Sequence, residues 1–91
     1  MKIKFSKSAV KFLEKQNEKT KERIRLKLKG LTLTIESGII PFRDMNIKRL
    51  HGEWKDFMRL RIGRIRVIFR IDKQKDEIYI YEIDYRGGIY K

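Results

Sequence analysis

Lys2-Ile3-Lys4-Phe5 alternates polar and apolar residues with period two, the pattern of a half-buried strand. Ser6 follows with a side-chain oxygen suited to the first free amides of a helix, and Ala9, Val10 and Leu13 recur at helical spacing. That helix is expected to fade near Gln16-Asn17, where a turn begins. A second helix runs from about Glu18 or Thr20 to Ser37. Ile24, Leu28, Leu31 and Ile35 form one apolar stripe along it, and Leu26 and Leu33 are expected to widen that surface. Lys19, Lys21, Arg23, Lys27 and Lys29 fall on its exposed face. Gly30 and the β-prone run Thr32-Leu33-Thr34-Ile35 weaken the last two turns, and Gly38 is a natural stop. So short a connection predicts an antiparallel helix hairpin.

Period two returns in the second half. Ile39 to Lys48 reads as irregular around Pro41, and Leu50-His51-Gly52 as a turn. Trp54 to Ile62 alternates, with Met58, Leu60 and Ile62 on one face and Phe57, Arg59 and Arg61 on the other. Gly63-Arg64 makes a tight reversal. Ile65, Val67, Phe69 and Ile71 then alternate with Arg64, Arg66, Ile68 and Arg70, and the turn Asp72 to Asp76 leads to a last strand from Glu77 to about Asp84. With 91 residues the chain suits a single domain, 1–91, with a thin core. The expected fold class is α+β: an N-terminal strand and an antiparallel helix hairpin packed on a small antiparallel sheet.

If the apolar sets of the two central strands face the helices, Arg59, Arg61, Arg64 and Arg66 emerge together on the opposite face. Side chains on adjacent antiparallel strands lie about 5–8 Å apart. Four guanidinium groups that close repel one another, a density better explained by an anionic ligand than by solubility. Composition agrees: 24 Lys and Arg against 12 Asp and Glu give a formal charge of +12. Such a surplus favours nucleic acid, an anionic membrane surface or an acidic protein as partner, although a solvated, self-repelling surface is the plainer alternative.

Several chemistries are disfavoured. With no cysteine there are neither disulfides nor thiolate metal sites. His51 is the one histidine, serves the turn on the simplest reading, and has no carboxylate cluster at ligand spacing. Glu82 and Asp84 share a strand face and could hold a cation, but are better read as partners for neighbouring arginines. Arg86-Gly87-Gly88 is too short for a nucleotide fingerprint. No metal and no other cofactor is expected. What remains is chemistry done by arginine and tyrosine on a phosphodiester. RNA carries its own nucleophile, the 2′-hydroxyl, and cleavage needs that group in line and the charge on phosphorus stabilised. Arginine's planar fork suits phosphate, and a tyrosine among arginines should lose its proton more easily. Tyr79 and Tyr81 read as sheet packing, Trp54 and Phe57 as either base-stacking or edge-of-core rings, and Tyr90 as a tail residue free to reach a site.

Three segments resemble the RelE/ParE superfamily of toxins: Leu50-His51-Gly52; Phe57 to Phe69, with its Arg-x-Arg-x-Gly-x-x-Arg hairpin; and Tyr85-Arg86-Gly87-Gly88-Ile89-Tyr90-Lys91. Motif order and spacing fit across essentially the whole chain. The resemblance implies a RelE-type toxin that cuts mRNA in the ribosomal A site, leaving a 2′,3′-cyclic phosphate, with a cognate antitoxin masking its basic surface in a hetero-oligomeric complex. By position it implies that Arg66 and Arg86 hold the scissile phosphate and that Tyr90 stacks on, or exchanges a proton with, the substrate. Arg59 falls where members have a basic catalytic or phosphate-contacting residue. Arg61, Arg64, Lys55 and Lys91 are expected to contact RNA. Phe57 stands where some members have a second lysine, so one possible general base is missing. The extra C-terminal helix of some members is not expected after Lys91.

Two other readings share this basic surface. One is a ParE-like inhibitor of DNA gyrase without nuclease activity, a branch that generally lacks this arginine and tyrosine set. The other is a non-catalytic RNA- or ribosome-binding module. Met1 to Phe5 has no apolar leader pattern and no stretch approaches the length of a membrane span, so a cytoplasmic location is expected.

Overall fold

The computed structural model describes residues 1–85. Strand β1 (Lys2–Phe5) leads into helix α1 (Lys7–Glu14), and α2 (Glu18–Glu36) follows after a three-residue turn. Then come β2 (Ile47–Arg49), a single 3₁₀ turn (Gly52–Trp54), β3 (Met58–Ile62), β4 (Ile65–Asp72) and β5 (Glu77–Tyr85). The strands form one sheet in the order β1-β5-β4-β3-β2. The α+β class is as expected. The sheet, however, is mixed: β1 runs parallel to β5, while the other pairs are antiparallel.

Local chemistry explains the helix boundaries. Ser6 accepts the Ala9 amide at 3.1 Å, and Asn17 accepts that of Thr20 at 2.8 Å, so both N-termini are capped by side chains. At the far end of α2, Gly38 has φ +94°, donates to the Ile35 carbonyl, and lets Ile39 donate to that of Thr34. This double closure is the Schellman arrangement, which needs a left-handed residue and therefore favours glycine. The β-prone end of α2 stays helical. The hydroxyls of Thr32 and Thr34 bond to the Leu28 and Gly30 carbonyls one turn back, a rotamer that a helix accommodates.

The core lies between the helices and one face of the sheet. Ala9, Ile24, Leu28 and Leu31 meet Leu60, Val67, Phe69, Ile78 and Ile80, all essentially inaccessible to solvent. Leu26 and Leu33 do not widen this surface; they are exposed, because a thin two-layer core closes over the stripe of Ile24, Leu28 and Leu31 alone. Two segments depart from the alternation. Ile47–Arg49, read as irregular, pairs with β3 as a short edge strand, burying Ile47 opposite Leu60. The turn expected at Leu50-His51-Gly52 continues as the 3₁₀ turn through Trp54, which was read as the start of a strand, and β3 begins only at Met58. The reversal Gly63-Arg64 has positive φ at glycine alone (+61°), the pattern of a two-residue II′ hairpin. A methyl at Gly63 would lie 2.8 Å from Arg23 Nη2, the far end of a mobile side chain, so the backbone angle sets the cost. Gly63→Ala should therefore destabilise the fold by about 1 kcal/mol or more, measured by urea denaturation; an unchanged midpoint would contradict a φ-restricted turn.

Candidate functional site

The face of the sheet turned away from the helices is set by register. Arg61 lies opposite Arg66, which lies opposite Asp84; Lys48 lies opposite Arg59, which lies opposite Ile68. Cross-strand partners share a face, so Lys48, Arg59, Arg61, Arg66 and Asp84 rise together. Arg64 is not in this row. It sits exposed in the hairpin turn, outside the strand register that aligns the others. Lys55 is exposed at the end of the 3₁₀ turn and lines a different depression with Arg49 and Arg70. Arg86, Tyr90 and Lys91 lie outside the described residues.

One irregularity reshapes this face. Ile68 pairs with Glu82 and Phe69 with Ile80, leaving Tyr81 as an extra residue in β5. Such a bulge puts two successive side chains on the same side. Tyr81 meets Trp54 and Phe57 on the free face, and Glu82 joins the arginines there. The bulge is anchored from α1: Ser6 Oγ donates to the Tyr81 carbonyl at 2.5 Å, and the Ser6 amide donates to that of Ile80 at 3.0 Å.

The result is a cleft of about 260 Å³ lined by Leu50, Trp54, Arg59, Arg66, Ile68 and Glu82. Its floor is Ile68, which is 8% exposed and stands apart from the main core. Its walls carry the charges. Arg66 forms a two-pronged pair with Asp84, Nε to Oδ1 at 3.2 Å and Nη2 to Oδ2 at 3.0 Å, both side chains about one-fifth exposed. The pair fixes the plane of the guanidinium, as fork-to-carboxylate geometry does. Arg59 donates from Nη2 to Asn46 Oδ1 at 3.4 Å, and Asn46 holds a left-handed backbone (φ 53°) just before β2. Arg61 Nε is buried and has no hydrogen-bond partner among the described residues.

Glu82 stands out electrostatically. A hydrogen bond with Asp84 raises its pKa above the ordinary 4.5, burial and the Asp84 charge add to the rise, and Arg66 opposes it. Sequence reasoning treated Glu82 and Asp84 alike, as partners for arginines. The structure divides them: Asp84 pairs with Arg66, while Glu82 lines the cleft and holds its proton more tightly. The signal available in the sequence was the break in alternation between Ile80 and Ile83, two apolar residues three positions apart in a strand.

The wider groove, about 530 Å³ between β1 and α2, is mostly apolar, lined by Ile3, Phe5, Ile24 and Leu28, with Lys21, Arg25 and Lys29 also lining it. Among the described residues, no helix is long and apolar enough to cross a membrane.

Solved structures share this architecture. A chain of the archaeal RelE–RelB complex from Pyrococcus horikoshii OT3 superposes with TM-score 0.71 at 25% identity, covering 94% of each chain. A chain of the RelB–RelE antitoxin–toxin complex from Methanococcus jannaschii does so at 0.71 and 23%, covering 97% of this chain and 95% of that one. The isolated E. coli RelE toxin gives 0.69 at 16%, covering 92% and 82%. No curated protein matches the sequence. Two helices on a five-stranded mixed sheet thus form the fold of the RelE toxins. Over residues 3–90 the sequence matches the ParE toxins of type II toxin–antitoxin systems, parDE, and the chain belongs to this family of the RelE/ParE superfamily.

The raised pKa of Glu82 has a consequence for stability. A carboxyl that binds its proton more tightly folded than unfolded contributes fully below about 4.5, and that contribution is lost as pH rises through the folded value. Glu82→Gln removes the ionisation, so its melting temperature relative to the parent should be higher at neutral pH than at acid pH. A difference independent of pH would contradict the assignment.

Proposed function

We propose that this toxin is a metal-independent endoribonuclease that cuts mRNA in the ribosomal A site, and that a cognate antitoxin in a hetero-oligomeric complex restrains it. The observation carrying the proposal is the convergence of Arg59, Arg66 and Glu82 on one cleft of the free sheet face. Antitoxin pairing is supported by the family and by the similar complexes, which contain RelB beside RelE. A cytoplasmic site of action follows from the same reading.

The chemistry divides among these groups. The 2′-oxygen of the substrate attacks the adjacent phosphorus, the bond from phosphorus to the 5′-oxygen breaks, and a 2′,3′-cyclic phosphate and a 5′-hydroxyl end result. Arg66, held in plane by Asp84, and Arg59 meet the oxygens that gain charge as phosphorus becomes five-coordinate. Glu82 takes the proton of the 2′-hydroxyl, and its raised pKa makes it a stronger acceptor than an ordinary carboxylate. It thus fills the place of the base that Phe57 cannot supply. Arg86 and Tyr90 complete the reading: Arg86 as a second phosphate ligand and Tyr90 as a ring that stacks on the substrate or returns a proton to the leaving 5′-oxygen. Arg61, Arg64, Lys55 and Lys91 guide the RNA by charge, which makes binding salt-dependent.

The family description favours a second reading, a ParE-type inhibitor of DNA gyrase without nuclease activity. One experiment separates them: purified protein is added to a translation reaction on a defined mRNA, and new 5′ ends are mapped by primer extension. The expected result is cuts within codons on translating ribosomes, slowed roughly 100-fold or more in Arg66→Ala, the scale of losing one charge-stabilising donor. Arg86→Ala should lose most of the rate, and Glu82→Gln should lose the acid limb of the pH–rate profile. Intact mRNA together with inhibited supercoiling would establish gyrase inhibition. Intact mRNA with neither effect would leave a binder that blocks without cutting.

A further inference from the structure

Four rings occupy the part of the free face next to the cleft. Trp54 lies 5.3 Å from Phe57 and 5.2 Å from Tyr81, Phe57 lies 5.5 Å from Tyr81, and Tyr79 lies 6.4 Å from Tyr81. Core building does not account for them, because the core is on the other side of the sheet. Trp54 is 40% exposed and Tyr81 37%, and both sit on a chain of charge +12. The Arg70 guanidinium lies 5.7 Å from the Phe57 ring and 5.4 Å from that of Tyr79, so a fixed cation is interleaved with the rings. Trp54 also lines the arginine cleft, which makes rings and arginines one continuous surface.

We infer that Trp54, Phe57, Tyr79 and Tyr81 form a stacking shelf for the unpaired bases of a single-stranded RNA whose backbone follows Arg59, Arg66 and Arg70. The inference rests on the reading of the cleft as an RNA site, though not on cleavage. Aromatic rings interleaved with arginines suit a single strand, since bases stack on ring faces while phosphates meet guanidinium groups. Paired bases would be hidden within a duplex, whose outer surface is mostly phosphate. The shelf tolerates any base, because every base offers a π-face. The bulge is what makes it: without the extra residue, Tyr81 and Glu82 could not share the free face.

Trp54 is the one tryptophan of the chain, so its fluorescence reports directly on the shelf. The whole protein is titrated at low salt with a 2′-O-methyl oligoadenylate, which cannot be cut, and with an abasic oligomer of equal length; binding is followed separately by anisotropy of labelled oligomers. Both oligomers should bind, and only the base-bearing one should quench Trp54. Trp54→Ala and Tyr81→Ala should each weaken the oligoadenylate roughly tenfold, the scale of one stacked base, and leave the abasic oligomer unchanged. Trp54→Phe and Tyr81→Phe should recover most of the loss. Equal quenching by both oligomers, equal weakening of both, or failure of the oligoadenylate to bind would overturn the shelf. Cleavage is not read here, so a failed shelf leaves the ribonuclease reading to its own assay, and an inactive ribonuclease leaves the shelf testable.

Discussion

The pairing of β4 with β5 cannot be regular from end to end if both Ile80 and Ile83 are to reach the core, and the extra residue at Tyr81 is how the strand meets that demand. A strict two-residue period would send Ile80 inward and Ile83 outward. One inserted residue reverses the phase, so Ile78 and Ile80 face the helices on one side of the bulge and Ile83 on the other. The same insertion places Tyr81 and Glu82 side by side on the free face. Ser6 holds the bulge from behind, through its hydroxyl on the Tyr81 carbonyl and its amide on that of Ile80, while its side chain also caps α1. One serine therefore ties the first helix to the point where the site is made.

From that point the electrostatics of the cleft follow. Arg66 opposite Arg61 would be a repulsive cross-strand pair, and Asp84 on the other side of Arg66 offsets it. The ion pair is largely sheltered and two-pronged, so it orients the guanidinium more than it stabilises the fold. With the Asp84 carboxylate engaged and close by, Glu82 ionises less readily. A cationic fork and a carboxyl with a raised pKa are thus produced by a single row of register, Arg61-Arg66-Asp84, and its neighbour, Arg59-Ile68-Glu82.

Much of this was legible in the sequence, and what was not has physical reasons. The first strand, the cap at Ser6, the turn at Gln16-Asn17, the stop at Gly38 and the hairpin at Gly63 are local events, written in side chains within a few residues of the backbone groups they satisfy. The inward set of β3 and β4 and the outward Arg59, Arg61 and Arg66 followed from period two alone. The short strand Ile47–Arg49 did not, because three residues carry too little pattern and exist as a strand only through β3. The turn was read at Gly52 but not through Trp54, whose place was assigned to the strand and whose ring instead packs on Phe57. Glu82 was undervalued for a related reason: its separation from Asp84 in role depends on the bulge and on Arg66, neither of which spacing reveals. The parallel pairing of β1 with β5 joins residues some 75 positions apart, Lys2 with Glu77 through Phe5 with Ile80, beyond any local signal.

The most direct test of the cleft as a ribonuclease site is the chemistry of the cut end. Mass spectrometry of the upstream fragment, released from mRNA on translating ribosomes by the purified protein, should find a 2′,3′-cyclic phosphate. A free 3′-hydroxyl in its place would mean that the 2′-hydroxyl is not the nucleophile, and it would contradict a cleft in which arginines and Glu82 carry the reaction.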